Sequence, residues 1–358
     1  MPTVLDPLLR TMVQRGASDL HLTAGASPHY RIHEKLIPVE DIKPLSPDQA
    51  RQLVYSLLTP QQTQRFEAEK ELDFSFGIEQ VSRFRVNVFQ QRGCVGAAIR
   101  ALPFRIMTFE ECGLPVKNFE DFCRKPKGLI LVTGATGSGK STTLASMIDE
   151  VNTHRNCHVV TIEDPIEYIH QNKQAIVDQR ELESDTHTFA AALRHVLRQD
   201  PNVIMIGEMR DAETIEAALN IAETGHLVFA TLHTSDSVQS INRIIDVFAS
   251  NKQAQVRTQL SFVLVAVVSQ QLIPRVDGNG RVIGLEILLA THAVRAMIRE
   301  SKVHQIYSTI QTSQREGMRT MNQSLFELYS KRLITYEEAL GRTTDPEELQ
   351  RLLSTVKR

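Results

Sequence analysis

The sequence predicts an α/β protein: a main domain built on a parallel sheet buried on both faces, a smaller α+β domain before it and a helical region after it. Three observations predict this. From Gly128 onward, short and continuously apolar runs recur at residues 129–132, 159–162, 203–206 and 227–232, each ending in polar residues. Strands with no solvent-facing side read this way, because neither face can afford a polar residue. Between the runs lie helical spacings such as Leu144, Met147, Ile148 and Val151. Before residue 102 the pattern alternates instead, and beyond about residue 290 no strand-like run returns.

Taken in order, Val4, Leu5, Leu8, Leu9, Met12 and Val13 recur at helical spacing, and Gly16 follows as a stop. Ser46-Pro47 with Gln49, and Thr59-Pro60 with Gln62, each carry the signature of a capping box with proline in the first helical turn. After Gly77 the period becomes two. Phe84, Val86 and Val88 fall on one face, Arg83, Arg85 and Asn87 on the other, which predicts a half-buried strand with a cationic side. Pro103 and the segment to Lys127 keep neither period for long and read as a connector. The expected organisation is a domain over 1–102, a linker over 103–127, an α/β core over 128–289 and a helical C-terminal region over 290–358.

Composition removes several classes. With 358 residues, 42% of them hydrophobic, the chain can bury a substantial core, so a disordered or fibrous protein is excluded. Forty Lys and Arg against 42 Asp and Glu give a net charge of −2. That balance, with no tryptophan and no basic cluster interleaved with aromatics, argues against nucleic acid as a partner. Cys94, Cys112, Cys123 and Cys157 form no C-x-x-C pair, so neither a zinc tetrad nor a redox pair is expected, and four isolated thiols fit a reducing cytosol. No stretch approaches the roughly 18 apolar residues of a spanning helix. The expectation is a soluble cytoplasmic protein that reaches a membrane through partners.

The chemistry gathers at the ends of the apolar runs, where open α/β sheets bind ligands. Gly134-Ala135-Thr136-Gly137-Ser138-Gly139-Lys140-Ser141, followed by Thr142, matches the phosphate-binding loop G-x-x-x-x-G-K-[ST] between a strand and a helix. Its glycines turn backbone N–H groups toward phosphate oxygens, Lys140 reaches the β and γ phosphates of ATP, and Ser141 is placed to ligate Mg²⁺. The next run ends in Glu163-Asp164-Pro165, a carboxylate pair able to orient or deprotonate water. The third ends in Gly207-Glu208-Met209-Arg210-Asp211, which has the form of a Walker B element whose acid holds Mg²⁺ or its water shell. From these residues alone, Glu163 and Glu208 both remain candidates for activating the water. The fourth run is bracketed by His226 and His233; at a strand end, His233 is placed to sense the γ phosphate or to bond a catalytic acid, and metal binding by the pair is not expected because an extended strand separates them.

Together these four segments resemble the Walker A, Asp box, Walker B and His box of the secretion ATPase superfamily. Two further matches narrow the resemblance to the retraction ATPases of type IV pili: Ala17-Ser-Asp-Leu-His21-Leu22, and Ala293-Val-Arg-Ala-Met-Ile-Arg-Glu300, which departs from the family signature at Val294, Ala296 and Met297. Extension motors and type II secretion ATPases usually carry a longer N-terminal region and a four-cysteine zinc insertion; neither is seen here. The resemblance covers essentially the whole chain. It implies a RecA-like core and a PAS-like N-terminal domain, a homohexameric ring hydrolysing ATP with Mg²⁺ held through Ser141 and Glu208, Glu163 as the water-activating residue, and Arg83 and Arg85 presented to the nucleotide. It also implies an inner-membrane platform protein as partner, a paralogous retraction ATPase as a further one, and peripheral association with the inner membrane. A retraction-accessory paralogue is the nearest alternative. Arg295, Arg299 and Glu300 are expected on an exposed helix, away from the phosphates, where they matter for partners rather than for stability.

Overall fold

The structure is a computed structural model that describes residues 5–32, 35–40, 42–78, 81–102 and 105–354. Val4 and Pro103 lie outside the described residues. The chain divides into two compact units, one of residues 1–105 with 167–169, the other of 106–166 with 170–358.

In the first unit the order is α1 (Asp6–Gln14), β1 (Asp19–Leu22), β2 (His29–Ile32), β3 (Lys35–Pro38), α2 (Pro47–Tyr55), α3 (Pro60–Glu69), β4 (Glu71–Ile78), β5 (Ser82–Gln91) and β6 (Cys94–Leu102). The strands form one antiparallel sheet, β3-β2-β1-β6-β5-β4. Both capping boxes are formed: the Ser46 and Thr59 hydroxyls accept from the N–H groups of Gln49 and Gln62, whose side chains return the bond. Each such cap stabilises its helix by about 1 kcal/mol. The alternation in β5 holds as well. Phe84, Val86 and Val88 are fully buried against the helices, while Arg85 is exposed and Arg83 half-buried on the other face.

In the second unit α4 (Val116–Cys123), β7 (Gly128–Thr133), α5 (Lys140–His154), β8 (His158–Glu163), β9 (Ile176–Glu181), α6 (Phe189–Val196), β10 (Val203–Ile206), α7 (Ala212–Glu223), β11 (Leu227–Leu232), α8 (Ser237–Asp246), α9 (Ser250–Val263), β12 (Leu264–Pro274) and β13 (Arg281–Leu289) lead into five helices, α10 (His292–Arg299), α11 (Ile306–Thr312), α12 (Met321–Ser330), α13 (Tyr336–Arg342) and α14 (Pro346–Ser354). The sheet runs β13-β12-β7-β11-β10-β8-β9, parallel throughout except for the antiparallel edge strand β13. Every residue of β7, β10 and β11 is buried, as continuous apolar runs require, and apolar clusters cover both sheet faces.

The structure corrects one part of the expected organisation. Residues 106–127, read as a connector, carry α4 and place Phe109, Leu114, Phe119 and Phe122 in the core of the second unit. Pro115 stands immediately before the helix and hides its period, so the segment is too short to register by spacing alone.

Candidate active site

The parallel register brings the ends of β7, β11, β10 and β8 side by side. Thr133 lies opposite Leu232, Ala230 opposite Ile206, and Ile206 opposite Ile162. The residues that follow, Gly134, His233, Gly207 with Glu208, and Glu163, therefore emerge along one edge of the sheet.

Gly134 opens the phosphate loop at φ +144°, and a Cβ there would lie 2.4 Å from the Gln270 carbonyl oxygen and 2.6 Å from Ser138 Oγ, so only glycine fits. The loop enters α5 at Gly139, which provides no side-chain cap, and the buried Ser138 Oγ has no partner among the described residues. Helix N–H groups left uncapped beside an orphaned buried hydroxyl are what an anion needs. The loop thus fits the phosphates of a nucleotide. Lys140 Nζ donates to the carbonyls of Gly134 at 2.8 Å and Ala135 at 3.0 Å, which holds the ammonium over the loop. Ser141, the next residue, is exposed at the helix start, and Thr136 and Gly137 are exposed on the loop.

Sequence reasoning missed the residue that holds this loop. Gln270 in β12 is 1% exposed; its Nε2 donates to the Ser138 carbonyl at 2.7 Å and its Oε1 accepts from Thr143 Oγ1 at 3.0 Å. One amide thereby ties the loop to the first turn of α5. Beside it, Ser269 Oγ and Thr133 Oγ1 meet at 2.8 Å. The signal in the sequence was the polar run Ser269-Gln270-Gln271 inside an otherwise apolar strand, legible only once β12 is known to flank β7.

The two carboxylates differ in surroundings. Glu163 is 8% exposed, and its Oε1 accepts from Thr161 Oγ1 at 2.6 Å and from Gln179 Nε2 at 3.0 Å, two bonds that fix its direction. Glu208 receives Arg210 at 2.8 Å and stands 3.4 Å from His233 Nε2. Its burial would raise the carboxyl, yet Arg210, His233 and Lys140 outweigh that and hold it below the ordinary carboxylate range. Gly207 separates them closely: a Cβ there would approach the Ile162 carbonyl at 3.2 Å.

Other sequence candidates fall elsewhere. His226 precedes β11, at the opposite edge of the sheet, with Nδ1 3.1 Å from the Ile221 carbonyl, where it closes the end of α7. Arg83 and Arg85 lie in the first unit, and Arg83 donates to Ser75 Oγ at 2.7 Å. Arg295 corrects the expectation of an exposed charge that matters for partners rather than for stability. Its guanidinium donates to the carbonyls of Ala290 at 2.9 Å, Ser261 at 2.7 Å, Phe262 at 2.6 Å and Leu264 at 2.7 Å, capping the C-terminus of α9. Arg299 is exposed, over the Phe262 ring at 5.8 Å.

A glycine loop between a buried parallel strand and a helix, with acids on neighbouring strand ends, defines a P-loop nucleotide hydrolase. The chain belongs to the family of type II/IV secretion system proteins, whose model matches residues 1–341, and is an ATP-hydrolysing member of it. It is 46% identical to the type IV pilus retraction ATPase PilT of Pseudomonas aeruginosa, over 95% of this chain and 98% of that protein. It is 42% identical to the type IV pilus ATPase PilU of the same organism, over 97% and 91%. Among solved structures, the pilus retraction motor PilT with bound ADP superposes with a TM-score of 0.92 at 49% identity, covering 98% of this chain and all of that one.

Proposed function

We propose that the chain is a homohexameric motor whose ATP hydrolysis drives retraction of a type IV pilus. The observation that carries the reading is the strand-end constellation of Lys140, Glu163, Glu208 and His233 in a chain that matches PilT over nearly its full length. Lys140 and the uncapped start of α5 neutralise the phosphates, while Ser141 and Glu208 would hold Mg²⁺, directly or through its water shell. Bound there, the ion supplies charge neutralisation at the β and γ phosphates. A carboxyl kept ionised by Arg210 and His233 suits an outer-shell cation ligand and makes a weak base, whereas Glu163, oriented by Thr161 and Gln179, is the residue to take the proton of the attacking water. Arg83 and Arg85 would act on the γ phosphoryl oxygens when the N-terminal domain closes, which makes closure the power stroke. An inner-membrane platform protein, and a paralogous ATPase of PilU type, are the partners this reading assigns.

The test pairs phosphate release by purified protein with surface motility of cells in which this chain replaces the resident retraction ATPase. Retraction that depends on Lys140 and turnover insensitive to single-stranded DNA are expected. Hydrolysis without restored motility would move the chain to another branch of the secretion family.

A further inference from the structure

Thr231 is the one polar residue of β11, and the chemistry above leaves it unused. It stands next to last in the strand and is 4% exposed, between the buried Ala230 and Leu232. A hydroxyl in that setting is costly unless an acceptor meets it. Its acceptor is the Gly207 carbonyl, to which Thr231 Oγ1 donates. The Thr231 carbonyl in turn accepts from the N–H of Met209 at 3.1 Å. One residue therefore binds the chain on both sides of Glu208.

The Gly207 carbonyl belongs to the peptide plane that precedes the Glu208 Cα, and the Met209 N–H belongs to the plane that follows it. Because each peptide is planar, only φ and ψ of Glu208 remain between the two. Holding both planes fixes those angles, and with them the direction in which the Glu208 side chain leaves the backbone. The turn is tied on its far side as well, since the Gly207 N–H donates to the Ile162 carbonyl of β8 at 2.8 Å. From this backbone the carboxylate reaches His233, two residues beyond Thr231 on the same strand end. Glu163 is served differently: Thr161 Oγ1 donates straight to its carboxylate. A buried threonine thus stands behind each acid, acting on the side chain of one and on the backbone of the other.

We infer that Thr231 is a positioning residue for Glu208: by holding both peptide planes that flank it, Thr231 sets the direction of the carboxylate assigned above to Mg²⁺. The inference rests on Glu208 serving the metal, but not on the output being a pilus.

Thr231→Val tests it, since valine keeps the shape and the preference for a strand but has no hydroxyl. Affinity for a fluorescent ATP analogue is measured with and without Mg²⁺, alongside turnover. Thr231→Val should cut the gain in affinity that Mg²⁺ confers by about tenfold or more, and leave affinity without Mg²⁺ within about twofold of the wild type. Thr231→Ala, which leaves space instead of filling it, should behave alike. Thr231→Ser, which restores the hydroxyl, should bring the gain back to within about threefold of the wild type. Combined with Glu208→Gln, Thr231→Val should change the Mg²⁺ gain by no more than about twofold further, because a residue that acts through Glu208 has nothing left to position. An undiminished Mg²⁺ gain in Thr231→Val, an equal loss in Thr231→Ser, or a full further loss on top of Glu208→Gln overturns the inference. A Mg²⁺ gain untouched by Glu208→Gln alone would overturn the assignment of Glu208 to the metal, and the inference with it.

Discussion

The two edges of the central sheet handle polar groups in opposite ways. At the edge where β7, β8, β10 and β11 end, the start of α5 is uncapped, Ser138 Oγ is buried without a partner among the described residues, and Gly134 leaves room that no side chain could occupy. At the other edge, Arg295 satisfies four carbonyls around the end of α9, and His226 closes the end of α7. Unsatisfied groups are tolerated in a folded protein where a ligand completes them, and closed networks are found where only stability is at stake. The difference separates the side chains proposed here for the chemistry from those that hold the scaffold, and it does so without reference to any relative.

That separation can be broken by a pair of substitutions with opposite signatures. Lys140→Ala, at the open edge, should weaken ATP binding by about 100-fold or more in a binding titration, through loss of a direct charge-assisted phosphate contact, and leave thermal unfolding nearly unchanged. Arg295→Ala, at the closed edge, should destabilise the protein by about 2–4 kcal/mol in chemical unfolding, because it strips donors from several partly buried carbonyls at once. Its folded fraction should still bind ATP. Arg299→Ala, exposed on the same helix, should cost less than about 0.5 kcal/mol. If Arg295→Ala and Arg299→Ala lose motility to the same degree while both remain folded, the helix contacts a partner as well as capping α9.

A smaller effect sharpens the picture near Glu163. His170 is buried, and that burial depresses its pKa to about 4, with Lys173 acting in the same direction and Asp149 against it. Its backbone N–H donates to Gln179 Oε1 at 2.8 Å, and Gln179 in turn holds Glu163. The folded state binds the imidazole proton more weakly than the unfolded state does. His170 therefore contributes stability that is present above the unfolded value near 6.5 and lost as pH falls from there toward 4, up to about 3 kcal/mol. Unfolding experiments across that window should show this slope in the wild type, and His170→Gln should flatten it.

Much of this was legible in the sequence, for reasons that differ by element. The capping boxes at Ser46 and Thr59, the alternation of β5 and the four apolar strands are local patterns, and each formed where its residues put it. Lys140, Glu163, Glu208 and His233 were found because strand ends are marked by the change from apolar to polar. Gln270 was not found. Its role depends on β12 lying beside β7, a pairing between distant segments that no local period records. Arg295 was misread for the same reason, since an arginine on an amphipathic helix gives no sign of the carbonyls it will meet.

The central claim is that Glu163 takes the proton of the attacking water and Glu208 does not. It is tested most directly by single-turnover ATP hydrolysis in Glu163→Gln and Glu208→Gln, each with ATP affinity measured on the same preparation. Glu163→Gln should bind ATP within a few-fold of the wild type whether or not Mg²⁺ is present and lower the chemical step by about 10²–10⁴-fold. Glu208→Gln should lose the gain in ATP affinity that Mg²⁺ confers, and added Mg²⁺ should restore part of its turnover. Near-normal hydrolysis in Glu163→Gln, with the chemical step lost in Glu208→Gln at saturating Mg²⁺, would contradict the assignment and exchange the two roles.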